Sequence, residues 1–393
     1  MPMDKPFITQ SSLYLEAAGD IAKQAGAFAD RTEQNRQIAS EVVVALKDAG
    51  LLRALQPRAY GGLELGLDVW LSIIATLSAQ CASTGWVYSV LSAHATAVAA
   101  FPAAAQREVW GESGEALVSS ALAPTATATR SGAGYHISGR WGFSSGCDFA
   151  QWVLAGARVV DPAPGDPAMI FCLIPMADVS IDDDWSVMGL CGTGSKSLIA
   201  KDITIPEHRV VPFRRLLDGI SGSSGVPAYF AMPRHAWAPC GLAAVGAGVA
   251  LGMVEKFVAY INSRKNMSGR SLADLETLQV KISEAAAEAE AALLLLKSNC
   301  LEAVDAFNAG GDLPSLMRAR NRRDQAFATR LAAGAVDRLY GAAGAYALFN
   351  GNAMQRSFRD MHAVAAQIVL NFDAAGKSYA QIQLGKQPDD LLF

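Results

Sequence analysis

The sequence has little charge and few cysteines, and both shortages exclude classes of function. Aspartate, glutamate, lysine and arginine make up 18% of its 393 residues, and the formal net charge is −4. A chain without a basic excess offers nucleic acid no electropositive face. The six cysteines show no CxxC spacing. That pattern is typical of free thiols in a reducing cytosol, and it argues against disulfides and against a zinc or other metal site.

The sequence also lacks a stretch typical of a signal peptide or a membrane span. The N-terminus is polar, with Asp4 and Lys5, and has no basic segment followed by an apolar one. The apolar stretch 285–296 contains Glu288 and Glu290, so it is too polar to cross a bilayer. These absences predict a soluble cytoplasmic protein. Its alanine-rich helices carry so little polar surface that more than one face should be buried, which favours an oligomer.

Segments of different character divide the chain into three predicted domains. Residues 1–117 show helical apolar spacing interrupted by glycine and proline. In residues 118–218, short runs of strand formers alternate with turn residues, which predicts a small barrel or sandwich. Residues 219–393 are helix-forming after an initial loop, and two long helices joined at 308–311 predict part of a four-helix bundle. The predicted class is α+β, with mostly α-helix.

The segment 141–148 is the most informative part of the β domain. It reads Trp-Gly-Phe-Ser-Ser-Gly-Cys-Asp and lies between two predicted strands. Tryptophan supplies an aromatic wall, serine supplies hydroxyls, and glycine permits a close approach, which together suit a flat cofactor that forms hydrogen bonds. Taken alone, the segment is better explained as a turn whose serines cap their own backbone.

Short motifs in a fixed order link this segment to the rest of the chain. They are Gln56-Pro57, 60–62, 83–87, 141–148, 189–195, Pro206 with His208-Arg209, 322–325, and Arg359-Asp360 with His362-Ala363. Each is weak alone, but the ordered set resembles the acyl-CoA dehydrogenase fold over nearly the whole chain. Within that fold it is similar to the oxygenase components of two-component (group D) flavin monooxygenases. These include p-hydroxyphenylacetate hydroxylase, the phenol hydroxylase of bacterial steroid-ring degradation and dibenzothiophene monooxygenase.

The resemblance implies a homotetramer that binds reduced flavin, either FADH2 or FMNH2. A separate NAD(P)H:flavin reductase would supply that flavin by diffusion. In the resembled enzymes the flavin reacts with O2 to give a C4a-(hydro)peroxide, which hydroxylates or epoxidises a small aromatic substrate. This species survives only in a dry site that holds the flavin N5 proton. One feature of the sequence agrees with a separate reductase. No GxGxxG follows a strand and no Walker-type loop is present, so the chain has no such site for a nicotinamide or other nucleotide.

The same resemblance assigns flavin-binding roles to five residues. Ser145 would form a hydrogen bond near N5, and Ser120 would lie on the strand beside it. Trp86 and Trp141 would flank the ring system. Arg264 matches an arginine that holds the flavin phosphate, a task that suits its fork of donors. An ordinary cation at a helix end explains Arg264 equally well.

Histidines and one glutamine are the candidates for acid–base chemistry and substrate contact. His94 matches a substrate-pocket histidine, although a lone histidine on an apolar helix is more often a buried structural residue. Gln367 departs from the family, because the phenol hydroxylases carry a basic histidine there and glutamine cannot act as a general base. Either His94 replaces that base or the substrate is already electron-rich, which slightly favours an indole-type heteroaromatic over a phenol. His362, His136 and His208 are interpreted as non-catalytic.

Two other classes of function stay open on the sequence. An acyl-CoA dehydrogenase shares the fold and commonly carries a catalytic glutamate just past the segment 359–360. This chain has no carboxylate there before Asp373, although some dehydrogenases place the base on another helix. The second class is a binding or structural protein that has lost catalysis. The joint presence of Trp86, Ser145 and Arg264 argues against it.

Overall fold

The structure, a computed structural model, describes residues 10–111, 113–219 and 227–390. Its N-terminal part is helical, as predicted, and the helix predicted to end at Gly50 is present. Gly50 takes the left-handed conformation, with a φ of 70°, that commonly follows a helix. The helices are α1 (Gln10–Ala27), α2 (Ala29–Asn35), α3 (Ser40–Asp48), α4 (Leu67–Gln80), α5 (Ala82–Val98) and α6 (Ala103–Trp110).

Helix α5 lies in the interior of the molecule. Of its 17 residues only Val90 is not buried. It packs against α4 on one side and against the central sheet on another. Its sequence has small and apolar residues all round, which suits a helix buried on every face. The polar side chains on α5 therefore have only groups inside the protein, or a ligand there, as possible partners.

The central part is one seven-stranded sheet. The strands are β1 (Val118–Ser131), β2 (Gly134–Ser144), β3 (Trp152–Val159), β4 (Met169–Pro175), β5 (Ser180–Asp182), β6 (Lys196–Pro206) and β7 (Val210–Pro212). They are ordered β5-β6-β2-β1-β3-β4-β7. Only β1 and β3 pair in parallel, and the other neighbours are antiparallel. The β2–β6 ladder pairs Ser144 with Lys196, which brings the end of β2 to the start of β6.

Alternate residues of the strands belong to different apolar clusters. One cluster consists of sheet residues and includes Ile137, Trp141 and Leu198. The other joins sheet residues such as Leu154 to the end of α5 and to α6. Successive side chains in a strand point to opposite faces, so both faces of this sheet are covered.

The C-terminal part is helical again. It contains α7 (Phe213–Asp218), α8 (Ala238–Asn262), α9 (Glu276–Gly310), α10 (Ser315–Ala343), α11 (Ala353–Ala365) and α12 (Phe372–Gln383). Helices α9 and α10 pack together, and Gly311 at the end of α9 has a φ of 73°, so the predicted helical pair is present. Helix α8 packs against α4, α5, α9, α10 and α11.

Helix α8 is apolar because it is central. Among the described residues it forms the one helix long and apolar enough to cross a membrane, and 78% of the relevant window is buried inside the protein. Its glycines let α4 approach closely. A Cβ on Gly248 would lie 2.4 Å from the Ala75 carbonyl oxygen, and one on Gly252 would lie 2.0 Å from that of Ala79. All six cysteines are free, as predicted.

Candidate active site

A cavity of about 740 Å³ lies between α5, the sheet, and the segments that precede α8 and follow α11. That volume is in the range of ligand-binding clefts, about 300–1,000 Å³. Most of its lining is apolar. No aspartate, glutamate or lysine occurs among the described residues that line it. A charged or polar ligand would therefore meet only a few defined polar groups.

One face of α5 forms a wall of this cavity. The residues that line it are Trp86, Ser89, Val90, Ala93 and His94. Their spacing of three and four residues is that of one helical face. A single buried helix thus presents an aromatic ring and an imidazole to the same space, with roughly 12 Å of helix rise between them.

Ser145 reaches the cavity because β2 ends immediately before it. The ladder between β2 and β6 is irregular between Trp141 and Ser144. Phe143, within that irregularity, takes a left-handed φ of 64°, which is uncommon for a residue with a side chain. Its ring packs edge-on against Trp185, with centroids 5.9 Å apart, and both residues line the cavity. Such local strain is common where a functional side chain must be placed.

Ser145 belongs to a chain of buried hydrogen bonds. The Trp86 Nε1–H donates to Ser145 Oγ at 3.0 Å, and Ser145 Oγ lies 2.7 Å from Ser195 Oγ. Ser195 Oγ lies 2.7 Å from Thr193 Oγ1, which donates to the Leu190 carbonyl oxygen at 2.9 Å. All four side chains line the cavity. The pairing of β2 with β6 brings Ser145 and Ser195 together.

His94 and Ser120 form a second polar pair in the cavity. The His94 ring is held by the Val118 carbonyl oxygen, 2.8 Å from Nδ1, and by Ser120 Oγ, 2.9 Å from Nε2. A carbonyl only accepts, so Nδ1 carries the proton and Ser120 donates to Nε2. Burial, opposed by the Val118 bond and assisted by the positive charge of Arg234, lowers the pKa of His94 to about 4. The imidazole is therefore neutral near pH 7.

Of the predicted site residues, five line the cavity together: Trp86, His94, Ser120, Ser145 and Gln367. Gln367 follows α11, at the start of a short 3-10 helix, and is partly buried. Its side-chain amide has no hydrogen-bond partner among the described residues, which leaves both its donor and acceptor for a ligand.

Two predicted residues lie elsewhere. Trp141 is 1% exposed, its Nε1–H donates to the Gly156 carbonyl oxygen at 2.7 Å, and it packs in the apolar cluster of the sheet. The structure does not bring it to the cavity, because it alternates with outward-facing neighbours along β2. Arg264 follows the far end of α8, roughly 30 Å from the cavity-lining Leu242 at 1.5 Å rise per residue. Its guanidinium stacks on Tyr260 and Tyr346, each 4.4 Å away.

The sequence predicts that the segment 218–237 shapes the pocket, but it gives no individual role to Arg234 or His235. Both line the cavity just before α8. Arg234 donates to Thr96 Oγ1 and lies over the Trp237 ring, and no ion pair joins it to a described carboxylate. Burial lowers its pKa to about 10, so it stays a cation near pH 7. Neither ring nitrogen of His235 has a partner among the described residues. Two basic residues in an apolar stretch were the signal available in the sequence.

The other histidines are bound to carboxylates. His362 lines the cavity with Nε2 2.9 Å from Asp337, while His136 pairs with Asp202 at 3.1 Å. His208 lies 2.8 Å from Glu108. The described residues contain no cluster of three or more histidine, cysteine or acidic side chains that could hold a metal ion.

The donor set of the cavity fits a reduced flavin ring. Trp86 offers a flat aromatic wall, and Ser145 offers a hydroxyl oxygen at the end of a built hydrogen-bond chain. The remaining apolar lining would keep water from a planar ligand. Arg264, the predicted phosphate-binding residue, does not line this cavity, because it lies at the other end of α8.

Comparisons with known proteins agree with the fold. Residues 10–113 match the acyl-CoA dehydrogenase N-terminal domain, and residues 240–372 match the acyl-CoA dehydrogenase C-terminal domain. The chain is 34% identical to the FADH(2)-dependent resorcinol hydroxylase, oxygenase component, of Rhizobium sp. (strain MTP-10005), over 98% of this chain and 97% of that one.

Two further relatives have solved structures. The flavin-dependent monooxygenase, oxygenase subunit HsaA, of Mycobacterium tuberculosis is 35% identical over 93% of each chain. A crystal structure of the HsaA monooxygenase superposes with a TM-score of 0.90, over 98% of this chain and 100% of that one, at 33% identity. XiaF from Streptomyces sp., in complex with FADH2 and glycerol, gives a TM-score of 0.90 over 97% of each chain at 26% identity.

Proposed function

This chain belongs to the acyl-CoA dehydrogenase family, as an oxygenase component of the two-component flavin monooxygenases, and from that premise we propose that its cavity is where a small aromatic substrate is hydroxylated or epoxidised. The enzyme uses reduced flavin and O2. The observation that carries the proposal is that Trp86, Ser145, and the His94–Ser120 pair all line one apolar cavity. A separate flavin reductase must supply the flavin in reduced form.

Bound reduced flavin would supply the electrons that activate O2, by the route that the resemblance implies. Ser145 would accept a hydrogen bond from the N5–H of a reduced flavin and so hold that proton in place. Trp86 fixes Ser145 through its indole N–H, and its ring would pack along the flavin. The apolar lining excludes water, which strengthens each of these hydrogen bonds.

The lining argues against the rival dehydrogenase reaction. Removing an α-proton from an acyl thioester needs a positioned base. No carboxylate occurs among the described residues of the cavity wall, and the stretch after Arg359 supplies Gln367 instead. His94 has a fixed tautomer, but its lowered pKa makes it a weak base. We propose that His94 acts through Ser120, orienting the substrate with that hydroxyl oxygen.

Product formation under labelled oxygen tests the proposal. The protein, a flavin reductase, NADH and FMN or FAD are incubated with phenols and indoles under 18O2. A monooxygenase transfers one 18O atom to the aromatic product, which mass spectrometry detects. A product formed without 18O, or turnover of acyl-CoA in its place, would overturn the assignment.

Gln367 is the residue that we propose selects the substrate class. Its free amide can accept from a ring N–H, and it cannot remove a phenolic proton. This supports an indole-type heteroaromatic over a free phenol, because the indole ring is already electron-rich.

Gln367→His is expected to shift selectivity toward phenols. An imidazole at this position restores a group that can accept the phenolic proton, so the ratio of kcat/KM for phenol to that for indole should rise at least about tenfold. Steady-state kinetics with both substrates measure this ratio. Gln367→Ala is the matched control, because it removes the amide without adding a base. An equal ratio in both variants would contradict the proposed role.

Arg234 supports a substrate that carries an acidic group. A guanidinium that faces a cavity without a carboxylate partner is costly unless a ligand supplies the negative charge. Indole-3-acetate and indole differ in a single carboxymethyl group, so they form a matched pair of probes. The N–H would face Gln367, and the carboxylate would face Arg234.

Arg234→Met is expected to weaken binding of the acid selectively. Methionine keeps part of the aliphatic bulk and removes the charge, so indole-3-acetate should lose about 2 kcal/mol, or roughly 30-fold in Kd. Indole should change by less than about threefold. Calorimetric titration of both ligands measures the difference. Equal losses for the two ligands would show that Arg234 only shapes the cavity.

Arg264 fits the proposal only if a second copy of the chain contributes it. It lies roughly 30 Å along α8 from the cavity of its own chain, too far to hold the phosphate of a flavin bound there. We propose that the enzyme is a homotetramer, in which Arg264 serves a flavin bound by a neighbouring copy. Its stacking on Tyr260 and Tyr346 keeps the guanidinium in a fixed orientation.

A further inference from the structure

We propose that Thr193 and Ser195 fix the proton of the Ser145 hydroxyl, so that the site accepts reduced flavin and disfavours oxidised flavin. This inference rests on the proposed function, because it takes the flavin ring to lie against Ser145. It is argued from the hydrogen-bond chain and from the burial of the residues in that chain. Thr193 is 2% exposed, Ser195 is 4% exposed and Ser145 is 9% exposed.

The residues at the two ends of the hydrogen-bond chain determine the direction in which its protons are donated. At one end the Trp86 indole N–H can only donate, and at the other the Leu190 carbonyl oxygen can only accept. Thr193 has a single hydroxyl proton, and it goes to Leu190. The 2.7 Å contact between Thr193 and Ser195 is then a hydrogen bond only if Ser195 donates.

The same reasoning passes along the chain to Ser145. Since Ser195 has given its proton to Thr193, the 2.7 Å contact with Ser145 requires Ser145 to donate. Reversing this order leaves Thr193 Oγ1 and the Leu190 carbonyl oxygen 2.9 Å apart in a buried site with no proton between them, which is costly. Every bond is made in one direction only, from Trp86 to Leu190.

Ser145 is therefore left without a proton for a ligand. Its oxygen accepts from Trp86, its proton goes to Ser195, and one lone pair remains. That lone pair can accept from a donor in the cavity. The N5 atom of reduced flavin carries a hydrogen and is such a donor, whereas N5 of oxidised flavin is an acceptor. Reduced flavin gains a hydrogen bond at Ser145, and oxidised flavin meets a repulsive contact.

Thr193 and Ser195 are positioning residues in this account. They would act on the flavin N5 only through Ser145. Neither of them was assigned a role from the sequence. Their place is set by the 3-10 turn Cys191–Thr193 and by Gly194, whose φ is 52°. This turn directs both hydroxyls toward the end of β2. A site that releases oxidised flavin favours exchange with the reductase after each turnover.

The test compares the affinities for the two redox states without any turnover. The Kd values of FMN and FAD are measured by fluorescence, oxidised in air and photoreduced under anaerobic conditions. Wild type is expected to bind reduced flavin at least about tenfold more tightly than oxidised flavin. In Ser195→Ala the Ser145 proton is free to donate to oxidised N5, so this ratio should fall about tenfold. Thr193→Val should lower the same ratio.

Ser144→Ala is the matched control. Ser144 is 0% exposed, adjacent to Ser145, and bonded to Ser119 at 3.2 Å, outside the chain. Its loss removes one buried hydroxyl without changing the proton order, so the ratio should stay as in wild type. A ratio that changes equally in Ser144→Ala and Ser195→Ala would overturn the inference.

A second probe needs no variant. Oxidised 5-deazaflavin carries a C–H where flavin has N5, so it presents no acceptor to Ser145. Wild type is expected to bind it several-fold more tightly than oxidised flavin of the same side chain. Equal affinities would overturn the inference while leaving the proposed function intact. A wild-type protein that binds no reduced flavin at all would instead remove the proposed function.

Discussion

Ser145→Ala is expected to divert reduced flavin from product to hydrogen peroxide. Without the hydroxyl, the N5 proton loses its acceptor and the Trp86 N–H loses a partner in a buried site. A lost hydrogen bond of this kind is worth about 1–3 kcal/mol, so the ratio of peroxide to product should rise roughly 5- to 150-fold. The measurement is the yield of peroxide and of product per reduced flavin at saturating substrate.

Two controls make this result specific to Ser145. Ser144→Ala removes a neighbouring buried hydroxyl that does not line the cavity, and its ratio of peroxide to product should match wild type. Ser145→Thr keeps a hydroxyl, so its ratio of peroxide to product should lie between those of wild type and Ser145→Ala. If the ratio of peroxide to product in Ser145→Ala equals that of wild type, Ser145 has no part in holding the N5 proton.

Gly252→Ala is expected to give a large loss of stability. The added Cβ would lie 2.0 Å from the Ala79 carbonyl oxygen, so α8 and α4 must separate. Overpacking of a tight helix contact costs about 1–3 kcal/mol or more in the free energy of unfolding. Urea denaturation followed by circular dichroism measures this loss.

Gly19→Ala is the matched control for that measurement. Gly19 lies inside α1, and a Cβ added there would meet nothing within 4 Å. Because alanine is the better helix former, this variant should gain about 0.4–1 kcal/mol. A loss in the free energy of unfolding for Gly252→Ala together with a gain for Gly19→Ala would establish that the α4–α8 contact requires glycine. Two variants of equal stability would contradict that requirement.

The sequence predicted the parts of this molecule that depend on local patterns. Helix α3 and its terminal Gly50 follow from apolar spacing and a helix-ending glycine, and the pair of α9 and α10 follows from two long helix-forming runs. The order of short motifs predicted the family. The position of Ser145 at the rim of the sheet followed from a run of strand formers that ends in small residues.

Other features depend on long-range packing and could not be derived in this way. Trp141 and Ser145 are four residues apart, and an irregular ladder between them decides which one reaches the cavity. The segment with Arg234 and His235 has neither helical nor strand periodicity, so the sequence could not indicate which of its side chains line the cavity. The roles of Thr193 and Ser195 depend on contacts that cross from one strand to another.

The most direct measurement of the central claim is anaerobic mixing of the protein with reduced FMN or FAD, followed by a pulse of oxygen in a stopped-flow spectrometer. A monooxygenase component should show a transient absorbance distinct from both reduced and oxidised flavin, and indoles or phenols should shorten its life as product forms. Immediate reoxidation to oxidised flavin, with no transient and no product from any aromatic compound, would contradict the account.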